Sequence, residues 1–202
     1  MAGLTRERIL QAAVRLADRD GPDAVTLRRI ATELGVHVTS LYNHVPTREA
    51  VTDGIVELLL DEAKLPTGPI AWDEWVRRFV EAVSGIAATH PGAFHALRQR
   101  PVQGARATAS FEVGLAAFAQ AGFATADGFA AIKAASYLAL MIGMERSMVT
   151  RGELLETHLE ELPAESFPLV RSVATDAADY EYVWSFSVET LIAGLRSRST
   201  AP

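Results

Sequence analysis

The chain has no cysteine among its 202 residues. Disulfides, thiolate catalysis and cysteine-ligated zinc are therefore excluded together, and a reducing cytoplasm fits. No apolar stretch follows the opening Met-Ala-Gly-Leu-Thr-Arg-Glu-Arg, so a secretory signal is not expected. Long apolar runs are missing too. The longest, roughly 134–144, stops at Glu145 and Arg146, short of the ~20 residues that span a bilayer. It reads as a buried helix, and no membrane partner is expected. Sustained strand alternation, internal repeats and low-complexity segments are absent. So are the Gly-x-Ser-x-Gly elbow, the phosphate-cradling glycine loop and the His-Glu metal motif. The acidic clusters Glu156/Glu160/Glu161 and Asp176/Asp179/Glu181 read as solvated faces. Neither an enzyme nor a cofactor is expected.

Nearly half of the residues are apolar, enough for a sizeable core. The net charge of −6 is unevenly divided. Residues 1–48 hold seven arginines (6, 8, 15, 19, 28, 29, 48) against five acids (7, 18, 20, 23, 33), a balance of +2 that leaves −8 for the remainder. A basic head on an acidic body suits a protein that meets nucleic acid at one end.

The apolar residues recur with helical spacing, so the expected fold class is all-α. Thr5 caps a first helix with Ile9, Ala13, Leu16 and Ala17 on one face, ended by Gly21-Pro22-Asp23. Thr26 caps a second, with Leu27, Ile30, Ala31 and Leu34 inward and Gly35 closing it. A third helix is expected over about 38–44, burying Leu41 and ending before Pro46. Thr47 caps a fourth that runs to about 63. Two prolines and a glycine within Leu65-Pro66-Thr67-Gly68-Pro69 mark a boundary. Further helices are expected at about 71–89, 105–121, 126–148 and 178–197, with a short one near 97 and a less regular region around Gly152, Pro163 and Pro168. The implied organisation is a basic helical head at 1–48, a connecting helix and linker at 49–69, and a larger helical body at 70–202.

The informative stretch runs from Thr26 to Arg48. Two short elements meet at Gly35, with small Ala31 at their crossing and Val36 and Leu41 tying them together: a helix-turn-helix. The outward face of the second, His37, Thr39, Ser40, Tyr42, Asn43 and His44, is polar and narrow enough for a major groove.

Here the sequence resembles the TetR family of transcriptional regulators. The residues that carry the likeness are Thr26-Leu27-Arg28-Arg29-Ile30-Ala31 followed by Leu34-Gly35-Val36, then Ser40-Leu41-Tyr42-Asn43-His44-Val45, then Arg48. It continues more loosely through Thr89-His90-Pro91-Gly92, Arg100-Pro101-Val102-Gln103-Gly104, Gln120-Ala121-Gly122-Phe123 and the closing helix with Phe186, Leu191, Ile192 and Leu195. The resemblance implies a homodimer on a palindromic double-stranded operator, most simply a repressor released by a small, largely apolar molecule. Tyr42, His44, Thr47 and Arg48 would hold the DNA backbone, and Arg28 would reach a phosphate or a base edge. His37, Val38, Thr39, Ser40 and Asn43 would read bases.

It also implies an effector cavity in the body. Its candidate lining is Phe79, Phe94, His95, Arg100, Phe111, Tyr137, Met141 and Met144, with Glu145 as a polar anchor. The same aromatic and methionine stripes serve ordinary cores or dimer faces. The tetracycline repressor holds a magnesium-bound drug through histidines, one near the end of the fourth helix. Lys64 stands there in this chain and His95 is offset from the second position, so no metal is expected. Val183, Phe186, Leu191, Leu195, Leu138 and Ile142 are candidates for the dimer face. A helical interaction module whose head no longer grips DNA would carry the same signature, and a mobility shift separates the two.

Overall fold

The computed structural model describes residues 3–99, 104–153, 162–175 and 179–198. Among them the chain is all α, with no strand. The helices are α1 (Arg6–Asp20), α2 (Leu27–Leu34), α3 (Arg48–Glu62), α4 (Trp72–Thr89), α5 (Ala96–Gln99), α6 (Ala105–Gln120), α7 (Thr125–Arg151), α8 (Pro168–Thr175) and α9 (Tyr180–Arg196). The acidic residues 156, 160, 161 and 176 and candidate Arg100 lie outside the described residues. Asp179 is not merely a solvated acid: it caps α9, accepting from the Tyr182 amide at 3.2 Å.

Local chemistry sets the ends of the head helices. Thr5, Thr26 and Thr47 each accept a hydrogen bond from the backbone amide three residues on, at 3.2, 3.3 and 3.1 Å, relieving an orphan donor of the first turn. Gly35 closes α2 at φ +65°, ψ +33°. Its amide bonds the Thr32 carbonyl and the Val36 amide bonds the Ala31 carbonyl, a Schellman closure that a side chain at Gly35 would strain.

The segment after Gly35 differs from the expected helix. Val38–Ser40 form a single 3-10 turn, followed by a hydrogen-bonded turn. Only Val45 reaches back four residues, to the Leu41 carbonyl at 2.8 Å. Val38 and Thr39 are β-branched, and Pro46 biases Val45 toward extended backbone, so a regular helix has no room to propagate. Leu41 and Val45, both wholly buried, pin the segment to the head.

In the body α4 packs along α7, with α6 and α9 beside them. A ridge of small residues on α7 (Gly128, Ala131, Ala135, Ala139, Gly143) faces inward, with Gly128 against Phe118 of α6 and Gly143 against Phe94, and α4 buries its large side chains Trp75, Phe79 and Val83. Arg77 reaches α9 through two bonds to Glu189 at 2.7 and 3.0 Å, and those bonds hold the Glu189 carboxyl below its ordinary range. The buried apolar residues of head and body form one continuous cluster, Leu65 included.

By length and composition α7 could cross a membrane, with an 18-residue window of mean hydropathy 1.2. The uncharged run within it is shorter, because Glu145 and Arg146 interrupt the helix. In the fold the apolarity serves the α4 contact on one side. On the other, Phe129, Tyr137 and Met141 form an exposed stripe spaced eight and four residues apart, and Tyr182, Val183 and Phe186 of α9 are also exposed.

Candidate nucleic-acid interface and effector groove

The head presents a polar ridge on a rigid base. His37, Thr39, Tyr42, Asn43, Thr47 and Arg48 are exposed, whereas Val38, Ser40 and His44 are half-buried. His37 does more than face outward. Its Nδ1 accepts from the Thr39 amide at 3.4 Å and lies 2.8 Å from Thr39 Oγ1, so the side chain caps the 3-10 turn and orients Thr39.

The arginines of the head divide into two groups. Arg19 bonds Asp20 and Glu33, at 3.1 and 3.2 Å, while Arg29 bonds Asp20, tying the end of α1 to α2. The hydrogen bond from Arg19 holds the Asp20 carboxyl below its usual range. Arg6 pairs with Glu57 at 2.9 Å. By contrast, the guanidinium groups of Arg28 and Arg48, and that of Arg15 in the middle of α1, have no partner among the described residues. Arg28 and Arg48 start α2 and α3, on either side of the ridge. Two free cations beside helix N-termini make an anion-binding edge.

The eight effector candidates among the described residues are scattered. Phe79 stacks on Trp75 at 4.7 Å and meets Phe111 at 5.7 Å, inside the core. Phe94 is wholly buried against Gly143, whose added Cβ would come within 2.1 Å of its Cζ. Met144 is half-buried beside the core. Glu145 is committed, accepting from Trp184 Nε1 at 2.7 Å. His95 lines a cleft of about 40 Å³, space for one or two waters. Tyr137 and Met141 face outward, Tyr137 beneath the Lys133 ammonium at 4.9 Å. Phe79 and Phe111 are thus brought together, and Tyr137, Met141, Glu145 and His95 are not.

A groove of about 760 Å³ opens instead between the end of α3 and the outer side of α4, and none of those eight lines it. Leu59, Ala63, Ala82, Gly85 and Ile86 form its floor, and Lys64, Arg78 and His90 stand on its rim. Sequence reasoning missed it because its shape comes from small residues on α4 meeting a different helix. In the sequence His90 stands only within the Thr89-His90-Pro91-Gly92 likeness, which carries no sign of its partners on other helices.

His90 also joins head to body. Its Nδ1 lies 2.8 Å from Asp18 Oδ2 of α1, and its Nε2 lies 3.3 Å from Glu62 Oε2 of α3. Asp18 Oδ1 accepts from the amides of Gly92 and Ala93 at 3.0 and 2.9 Å. Gly92 lies so close to α1 that a Cβ would fall 2.0 Å from the Ala17 carbonyl oxygen. The Pro91 carbonyl accepts from Ser147 Oγ of α7 at 2.6 Å. Groove, head and body therefore share one joint.

Residues 9–53 match the family of bacterial regulatory proteins of the tetR type. An HTH-type transcriptional regulator of Saccharopolyspora erythraea is 33% identical over 95% of this chain and 84% of its own length. The tetracycline repressor protein class D of Escherichia coli is 30% identical over 100% of this chain and 93% of its own. Among solved structures, ActR of Streptomyces coelicolor in complex with actinorhodin superimposes with a TM-score of 0.83 at 25% identity, over 98% of this chain and 100% of that one. With the ridge, its flanking arginines and relatives aligned along nearly the whole length, the chain belongs to the tetR family of transcriptional regulators.

Proposed function

We propose that the protein is a repressor that holds a palindromic operator as a homodimer and releases it when a small, largely apolar molecule occupies the groove. The observation that carries the DNA reading is the pair of uncommitted guanidinium groups, Arg28 and Arg48, flanking a ridge whose base is fixed by a glycine closure. Arg28, Tyr42, His44, Thr47 and Arg48 grip phosphates. His37, Val38, Thr39, Ser40 and Asn43 read bases. With its Nδ1 accepting, neutral His37 carries its proton on Nε2, a donor suited to guanine O6 or N7. The working compartment is the cytoplasm, where operators are.

Repression is favoured by the names of relatives such as the tetracycline repressors, and an effector by the ActR complex with actinorhodin. The groove touches α3, the helix whose first turn carries Arg48. An occupant that prefers one placement of α3 over another therefore shifts the head, by no more than its difference in affinity for the two.

The test is binding to duplex DNA from upstream of its own gene, read by fluorescence anisotropy across a salt series. Tyr42→Ala combined with Arg48→Ala is expected to weaken binding by about a hundredfold. Of the four side chains lost per dimer, the two arginines neutralise phosphates, so the log–log salt slope becomes shallower by about 1.8. Unchanged affinity and slope would show that the ridge docks some other way.

A further inference from the structure

We propose that the groove receives an amphipathic organic acid, and that the acid group works by taking His90 away from Glu62. This rests on the groove being the effector site and adds the class of the effector and the step it triggers.

The charges around the groove are almost fully matched. Arg78 bonds Glu74 at 2.7 Å, Arg77 is held by Glu189, and Glu81 is bonded by Arg146 at 3.0 Å. Glu62 faces His90. Lys64 is the exception. It lines the groove, is exposed, and has no partner among the described residues. A floor of Leu59, Ala63, Ala82 and Ile86 wants an apolar body. One unmatched ammonium at its edge wants one anionic group.

The two contacts of His90 are unequal. On the Asp18 side the bond is short, and Asp18 is further fixed by two amides of the body. On the Glu62 side the separation is 3.3 Å and Glu62 is half exposed. The Nε2–H proton serves one acceptor well. An anion seated at Lys64 competes for that proton and repels the Glu62 carboxylate. Asp18 keeps α1 on the body while the end of α3 comes free. The other end of α3 holds Thr47 and Arg48, so release is felt at the DNA edge.

Two probes with the same ring system test this on the full-length protein by fluorescence titration. They are 8-anilinonaphthalene-1-sulfonate, an anion, and N-phenyl-1-naphthylamine, which is uncharged. The parent is expected to bind the anion at least about tenfold more tightly. Lys64→Met should remove that preference without changing the affinity for the neutral probe, and Lys64→Arg should retain it. Gly85→Trp should abolish binding of both, since a Cβ at Gly85 meets only Glu81 Oε1 at 3.7 Å and the indole has the groove to fill. In operator titrations the anion should weaken DNA binding at least about fivefold, and less in Glu62→Gln. Equal affinities in the parent, a preference that survives Lys64→Met, or no effect of the anion on the operator would overturn the proposal. Binding that survives Gly85→Trp would place the effector site elsewhere. Failure of the probe-free parent to bind operator would sink the DNA reading alone.

Discussion

Arginine in place of both Met141 and Phe186 gives a folded monomer whose operator affinity is lower by about two to four orders of magnitude, the range that bivalent attachment supplies. The two side chains are 56% and 58% exposed, so their replacement leaves the α4–α7 core alone. With Phe129, Tyr137, Tyr182 and Val183 they form an apolar face on α7 and α9 that a lone subunit would leave to water. In a homodimer the same face meets its own copy across a two-fold axis, so each arginine would be buried without a carboxylate partner. Sedimentation velocity reports the mass, and circular dichroism confirms the fold. A double variant that still sedimented as a dimer would place the interface elsewhere.

Trp75→Ala is expected to cost ~3–5 kcal/mol of stability. The indole is wholly buried, lies 10° from parallel with Phe79, and donates from Nε1 to the Ser110 carbonyl at 3.0 Å. It also fits over Gly114, where a Cβ would come within 2.7 Å of its Cε2. Its removal opens a cavity between α4 and α6 and strips the Ser110 carbonyl of that donor. Thermal unfolding at fixed protein concentration, since a dimer's midpoint depends on it, should fall by roughly 6–20 °C. A loss under about 1 kcal/mol would mean that α6 closes onto α4 and heals the gap.

The head was legible from its sequence because its punctuation is local. Three threonines three residues ahead of the amides they accept from, and one glycine in the left-handed region, are read from residue type alone. The segment after Gly35 was harder. Leu41 and Val45 mimic a helical repeat because both anchor the ridge, while Val38, Thr39 and Pro46 limit the backbone to turns. His37 is legible as a candidate base reader, yet its cap on Thr39 depends on a rotamer the sequence does not specify.

The body was legible as helices but not as a site. Apolarity marks Phe79, Phe94, Tyr137 and Met141 alike, and only packing separates the two that fill the core from the two that face outward. The groove depends on what is small, Ala82 and Gly85, and on α3 meeting α4. His90 pairs with Asp18 across 72 residues of chain, a distance over which periodicity carries no information.

The most direct test of the central claim is selection of binding sites from a pool of random duplexes, followed by the stoichiometry of the selected complex. The account predicts a palindrome with half-sites about 34–36 Å apart, occupied by two chains per duplex. A pool that stayed unenriched, or a complex of one chain on an asymmetric site, would contradict it.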